Sequence, residues 1–248
     1  MNLLLAALIA LPAVVMYHRV DAAAPSDAIS QRLTISPAQF SGELRELQRM
    51  GLHTIGIADL ARAAARGESL QRAVLLTFDD GYGDQFRYAF PILQRLHERA
   101  TFFINTGTIG TPGHLTWTQV EAMAQSGMSI ECHGVDHVDL GILGVDEQMY
   151  QIDSCIAELR AHLRGSGMAF AYPSGAFDSS TITIVRDAGV LFGFTTDPRF
   201  QTDVRSPFQI TRIRVLNGMS DGYFASLVGR ARSYVDFSSA PPPADRVP

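Results

Sequence analysis

Val74-Leu75-Leu76-Thr77-Phe78-Asp79-Asp80-Gly81-Tyr82 is the stretch whose reading decides the architecture. An apolar run that ends abruptly in two adjacent carboxylates is a buried strand, Ala73 to Phe78, carrying acids to its C-terminal tip. Parallel α/β sheets and barrels keep their chemistry at such tips, so Asp79 and Asp80 are site candidates. Further along, a second apolar strand, Met128 to Cys132, runs directly into His133-Gly134-Val135-Asp136-His137. Two imidazoles spaced in this way through a glycine-containing stretch can reach one metal from a strand end. One carboxylate then completes a three-ligand set with a position left open for water. Asp-Asp-Gly alone is ordinary turn chemistry, and an isolated pair of histidines is more often surface or packing. Each cluster directly behind its own strand, however, places both on one rim and predicts a metal hydrolase.

The rhythm continues in both directions. Ser36 reads as an N-cap with Pro37 in the first helical position, and Pro37 to Met50 carries apolar residues at helical spacing. His53 to Ile57 reads as a short strand or turn, and Ile57 to Arg66 as an amphipathic helix stopped at Gly67. Downstream come helix Tyr88 to Arg99, strand Thr101 to Asn105, a helix opened by Thr116 and running through Ser126, and the longest helical pattern, Asp146 to Leu163. Strand Met168 to Tyr172, the turn Pro173-Ser174-Gly175 and helix Ser179 to Ala188 follow, then strands Val190 to Thr195 and Ile210 to Val215 and a closing helix Asp221 to Tyr234. Right-handed crossovers make such strands parallel. No G-x-G-x-x-G follows the first strand, Ala13 to Tyr17, so a barrel, complete or incomplete, is preferred to a doubly wound dinucleotide-binding sheet.

A chain of 248 residues without internal repeat or linker fits one α/β domain, placed at residues 13–237, with a Pro- and Ala-rich disordered tail at 238–248. Residues 1–12 read equally as the remnant of an export signal and as a lead-in to the first strand. Leu3 to Leu11 is apolar, but it lacks a basic flank and is too short to span a bilayer, so compartment stays open and no transmembrane span is expected. A formal net charge of -5 gives no reason to expect nucleic acid. All 20 basic residues are Arg, which excludes lysine Schiff-base chemistry and a lysine phosphate clamp. Cys132 and Cys155 are expected as free thiols, with Cys132 turned away from the His133 face by strand alternation.

Thr77-Phe78-Asp79-Asp80-Gly81, His133 to His137, Tyr172-Pro173-Ser174-Gly175 and Arg212-Ile213-Arg214-Val215 together resemble the motifs of the NodB-type polysaccharide deacetylases, carbohydrate esterase family four. The resemblance spans Met16 to Val215. Met16-Tyr17-His18-Arg19, without a late Leu-x-x-His, is similar to the branch that acts on poly-N-acetylglucosamine. The resemblance implies a distorted (β/α)7 barrel that hydrolytically removes N-acetyl groups from an N-acetylglucosamine-containing glycan. It implies Asp80, His133 and His137 as ligands of a divalent cation, with Zn2+ the first choice and Co2+, Ni2+ or Fe2+ also suited to these donors. Asp79 is implied as the base for the attacking water, His18 as the acid for the departing amine, and Ser174 as an oxyanion donor. Tyr172, Pro173, Gly175 and Arg212 complete the implied substrate-binding set. Many relatives carry an Arg shortly before this Pro; here the place is Ala171, which leaves Arg212 or Arg19 to orient Asp79.

Two alternatives stand beside this reading: hydrolysis of small cyclic amides or imides, as in the same superfamily, and a non-catalytic glycan-binding module. Retention of both acids and both histidines argues against the second. A two-carboxylate glycosidase ranks last, because adjacent strand residues point in opposite directions. His53, His97, His114 and His162 lack partner motifs, Asp136 and Asp139 flank the histidine pair, Trp117 and Tyr82 read as core or sugar-stacking, and Asp197 is left unassigned.

Overall fold

The computed structural model describes residues 8–70, 72–196, 204–231 and 233–236. Eight parallel strands form its main sheet: β1 (Ala13–Tyr17), β2 (His53–Ile55), β3 (Ala73–Phe78), β4 (Thr101–Ile104), β5 (Ser129–Cys132), β6 (Ala169–Ala171), β7 (Phe192–Phe194) and β8 (Ile213–Arg214). Their spatial order is β7-β6-β5-β4-β3-β1-β8, with β2 also paired to β3. β2 and β4 divide one edge of β3, pairing with Ala73 to Leu75 and with Thr77 and Phe78, while β1 occupies the other. Ile210 pairs with Phe194 of β7, and β8 pairs with Val15 and Met16 of β1, so one short stretch touches both sheet margins and curls the sheet into a half-barrel.

β3 is buried along its whole length, as a strand covered on both faces must be. On its outer face Phe78 stacks between Tyr17 of β1 and Phe102 of β4, at centroid distances of 5.1 and 4.9 Å, with Phe40 edge-on. Phe40 lies on helix Pro37–Arg49, which starts where the sequence predicts, with Ser36 Oγ accepting the Gln39 N–H. Helix Ile57–Arg66 ends on left-handed Gly67, also as predicted.

Three expectations change. The long pattern from Asp146 is not one continuous helix: helix Val145–Met149 passes through a π-turn, Tyr150–Ser154, into helix Cys155–His162. The closing helix stops at Arg230. Ser233–Asp236 instead forms a strand antiparallel to Leu8–Leu11 and flanked by Val204–Arg205, a small second sheet that no periodicity announced. Finally, Cys132 and Cys155 are joined as a disulfide rather than left as free thiols. Alternation does turn Cys132 outward, but on that side the helix begins with Cys155, and the two Cα atoms lie 6.1 Å apart, within bridging range. Residues 1–7, Asp197 and the tail from 238 lie outside the described residues. Among those described, no helix is long and apolar enough to cross a membrane.

Candidate active site

β3 ends at Phe78, one residue short of the acids, so strand alternation does not govern them. Asp79 still donates its N–H to Tyr17 O at 3.0 Å, after which Asp80 turns into left-handed backbone at φ 74°. Both carboxylates thereby lie within electrostatic reach of the same two imidazoles, His18 and His133. This corrects the expectation that neighbouring acids diverge. Gly81 completes the turn at φ 69°, where a Cβ would lie 2.2 Å from Ile104 Cγ2, so only glycine fits. Among the described non-glycine residues, positive φ occurs at Asp80, His97, His137 and Ser174. Only His97, a helix C-cap, lies outside the site. Such backbone costs about 1–3 kcal/mol per residue and persists where the surroundings enforce it, commonly at functional sites.

Asp80 Oδ1 lies 3.4 Å from His133 Nε2 and 3.2 Å from His137 Nε2, and the three donor atoms fall within 4.8 Å of one another. His133 Nδ1 sits 2.6 Å from Ala171 O. A carbonyl can only accept, so Nδ1 carries the hydrogen, which leaves Nε2, the nitrogen that faces Asp80, free to act as a ligand when the ring is neutral. Asp80 Oδ1 is itself buried without a hydrogen-bond partner. Burial pushes the Asp80 carboxyl up, but the facing imidazoles outweigh it and hold the group well below the usual carboxylate range. Two imidazole nitrogens and one ionised carboxylate oxygen gathered in this way are a donor set that could hold a divalent transition metal. His133 is buried whereas the His137 side chain is 41% exposed, so the cluster opens to solvent on one side.

Asp79 is gripped by Arg212 through two parallel bonds of 2.7 Å, Nη1 to Oδ1 and Nη2 to Oδ2. Arg212 also donates to Thr195 O and Thr77 Oγ1. Burial raises the Asp79 carboxyl, but the guanidinium more than offsets this and the group lies below its ordinary value. Arg212 is 1% exposed with every bond directed inward, so the expectation that it binds substrate is replaced by a positioning role. Arg19 instead pairs with Asp84 at 2.7 Å and lies 4.4 Å over the Tyr82 ring, which stacks on His114.

His18 follows β1 and holds a buried, unpartnered Nδ1. Burial lowers its imidazole from the ordinary value against the upward pull of Asp79 and Asp80. In the Tyr172-Pro173-Ser174-Gly175 turn, Ser174 is exposed at φ 57°, and Pro173 is buried. Tyr172 departs from the substrate-binding expectation: its ring is fully buried against Phe170 and Phe177, and its hydroxyl donates to Phe208 O. Gly175 likewise spends its N–H on Tyr172 O at 2.8 Å, and a Cβ there would fall 2.2 Å from Thr196 Oγ1; its part is to close the turn. Trp117 stacks on His162, at a centroid distance of 3.7 Å. Sequence reasoning missed Ala171 O, Asn105 and Gln151; a backbone carbonyl and single side-chain amides, one after a strand and one within a helical run, carry no pattern to find them by.

A family model described as polysaccharide deacetylase matches residues 66–193. YxkH of Bacillus subtilis (strain 168), a polysaccharide deacetylase by designation only, is 27% identical over 87% of this chain and 75% of its own length. The poly-beta-1,6-N-acetyl-D-glucosamine N-deacetylase of Staphylococcus aureus (strain MRSA252) is 23% identical over 79% of this chain and 71% of its own. Among solved structures, the deacetylase PplD of Streptococcus pyogenes in complex with acetate superimposes with a TM-score of 0.78 at 27% identity, covering 88% of this chain and 97% of that one.

Proposed function

Because the chain belongs to the polysaccharide deacetylase family, we propose that its site hydrolyses the N-acetyl groups of an N-acetylglucosamine-containing polysaccharide, using a divalent cation held by Asp80, His133 and His137. The observation that carries this reading is the buried, unpartnered Asp80 Oδ1 facing two imidazole nitrogens, with ionised Asp79 fixed alongside.

A cation bound there supplies Lewis acidity to the acetamide carbonyl and to water, and zinc is the first choice for these donors. Asp79 accepts the proton of the attacking water. Its charge is secured by Arg212, and the pair of hydrogen bonds from the guanidinium stops the carboxylate from rotating away from the water. His18 delivers a proton to the departing amine nitrogen; an imidazole held below its ordinary value is a stronger acid once protonated. Ser174 stabilises the oxyanion from the turn at the end of β6. The acyl carbon leaves as acetate without a covalent enzyme intermediate. The S. aureus relative's named substrate supports a β-1,6-linked N-acetylglucosamine polymer as the glycan, and the acetate in the S. pyogenes complex accords with the product.

The test compares acetate release from β-1,6-linked N-acetylglucosamine oligomers with ring opening of small cyclic amides and imides. Acetate release dependent on added Zn2+ is the expected result. Ring opening without acetate release overturns the glycan assignment in favour of the small-substrate alternative.

A further inference from the structure

Gln151 reaches the ligand loop from an element with no other part in the site. Its side chain is 6% exposed, and its Oε1 accepts two consecutive backbone N–H groups, Val135 and Asp136, at 2.9 Å each. Its Nε2 donates to Asp136 Oδ2 at 2.9 Å. Both amides lie between His133 and His137. The loop's other face is held by residues 105–107: Asn105 Nδ2 donates to His133 O, Thr106 N to Gly134 O at 3.2 Å, and Gly107 N to Val135 O at 3.0 Å. His137, in left-handed backbone at φ 50°, follows immediately. Gln151 sits in the π-turn Tyr150–Ser154, an irregularity that often marks functional positions in helices. Cys155, just after that turn, is bonded to Cys132, the residue before His133, so the helix carrying Gln151 is anchored to the strand that carries the ligands.

We propose that Gln151 is a positioning residue for the metal site: by bridging the Val135 and Asp136 amides it sets the loop conformation that aims His137 at the centre shared with His133 and Asp80. This rests on the metal reading above.

The test is isothermal titration of the metal-free full chain with Zn2+, alongside the melting-temperature increase that zinc produces. Gln151→Met keeps the volume and removes all three bonds. It should weaken zinc binding about 10- to 100-fold, in line with other outer-shell partners of metal ligands, and shrink the zinc-induced stabilisation. Gln151→Glu sets a carboxylate against Asp136 and should also weaken binding. Adding Asp136→Asn to it re-forms the bond with donor and acceptor exchanged, and should bring affinity back to within about threefold of wild type. If Gln151→Met does not fold, this exchange pair carries the test, and a double variant no better than Gln151→Glu overturns the proposal. Wild-type zinc affinity in Gln151→Met overturns it too while leaving the metal reading intact. A wild-type chain that takes up no zinc removes both.

Discussion

Arg212 and Asp79 lie 133 residues apart in the chain and meet inside the domain, guanidinium to carboxylate, through two bonds of 2.7 Å with neither side chain exposed. A buried ion pair is a poor source of net stability, but it fixes orientation, and losing one partner strands the other's charge. That explains how Ala171 can stand where many relatives place an arginine: the positive charge arrives from the residue before β8, whose pairing with β1 brings it over Thr77 and Asp79.

Arg212→Met should therefore destabilise the fold by about 3–5 kcal/mol, since it leaves a buried carboxylate unpaired. Arg212→Lys keeps a charge but not the planar fork. It should lower kcat on the order of 100-fold through misplacement of Asp79, with a smaller stability loss. Chemical denaturation and turnover of the two variants check this; Arg212→Lys with wild-type kcat contradicts the positioning role.

Stability should depend on pH in two opposite ways. Asp79 is held below its ordinary value, so its contribution is complete above about pH 4 and is lost as pH falls through the depressed native value. Glu131 behaves inversely. Burial raises its carboxyl to about 8, despite N–H bonds from Met168 and Ala169. From its ordinary 4.5 up to about 8 the native state holds a proton that the unfolded chain has released, so stability falls as pH rises through that window. Glu131→Gln keeps an acceptor for both amides and removes the titration. Unfolding free energies from urea titrations at about pH 5 and about pH 8 should differ by a few kcal/mol in the wild type and converge in the variant. An unchanged difference in Glu131→Gln assigns the slope elsewhere.

The Cys132–Cys155 disulfide predicts that protein purified without reductant and denatured in an alkylating reagent gains no label. Mass spectrometry reads this directly. Reduction should cost about 3 kcal/mol for a loop of this length and lower the melting temperature accordingly. Two labelled cysteines in the unreduced protein contradict it.

Much of this architecture is legible in the sequence where local and global demands coincide. Val74 to Phe78 has to be a covered strand, Ser36-Pro37 has to open a helix, and the two clusters behind β3 and β5 have to share a rim. What is not legible depends on chain reversals that side-chain periodicity does not record. Left-handed backbone at Asp80 lets two adjacent acids converge, and nothing in Asp-Asp-Gly separates that from an ordinary turn. The π-turn at Tyr150–Ser154 leaves an unbroken helical pattern in the sequence while displacing Gln151 onto the ligand loop. The sequence leaves Arg212 and Arg19 as alternatives for orienting Asp79, and only the pairing of β8 with β1 chooses Arg212; the pairing of Leu8–Leu11 with Ser233–Asp236 joins segments too far apart for any local signal. Strand alternation turns Cys132 outward, but which helix covers that face is a property of the assembled fold.

The division of labour between Asp79 and Asp80 is the central claim, and the most direct measurement is metal content together with acetate release for Asp79→Asn and Asp80→Asn purified and assayed identically. Asp79→Asn should retain about one metal per chain and release no acetate, whereas Asp80→Asn should lose both. An Asp80→Asn protein that holds metal as tightly as wild type, or an Asp79→Asn protein that turns over at the wild-type rate, contradicts the account.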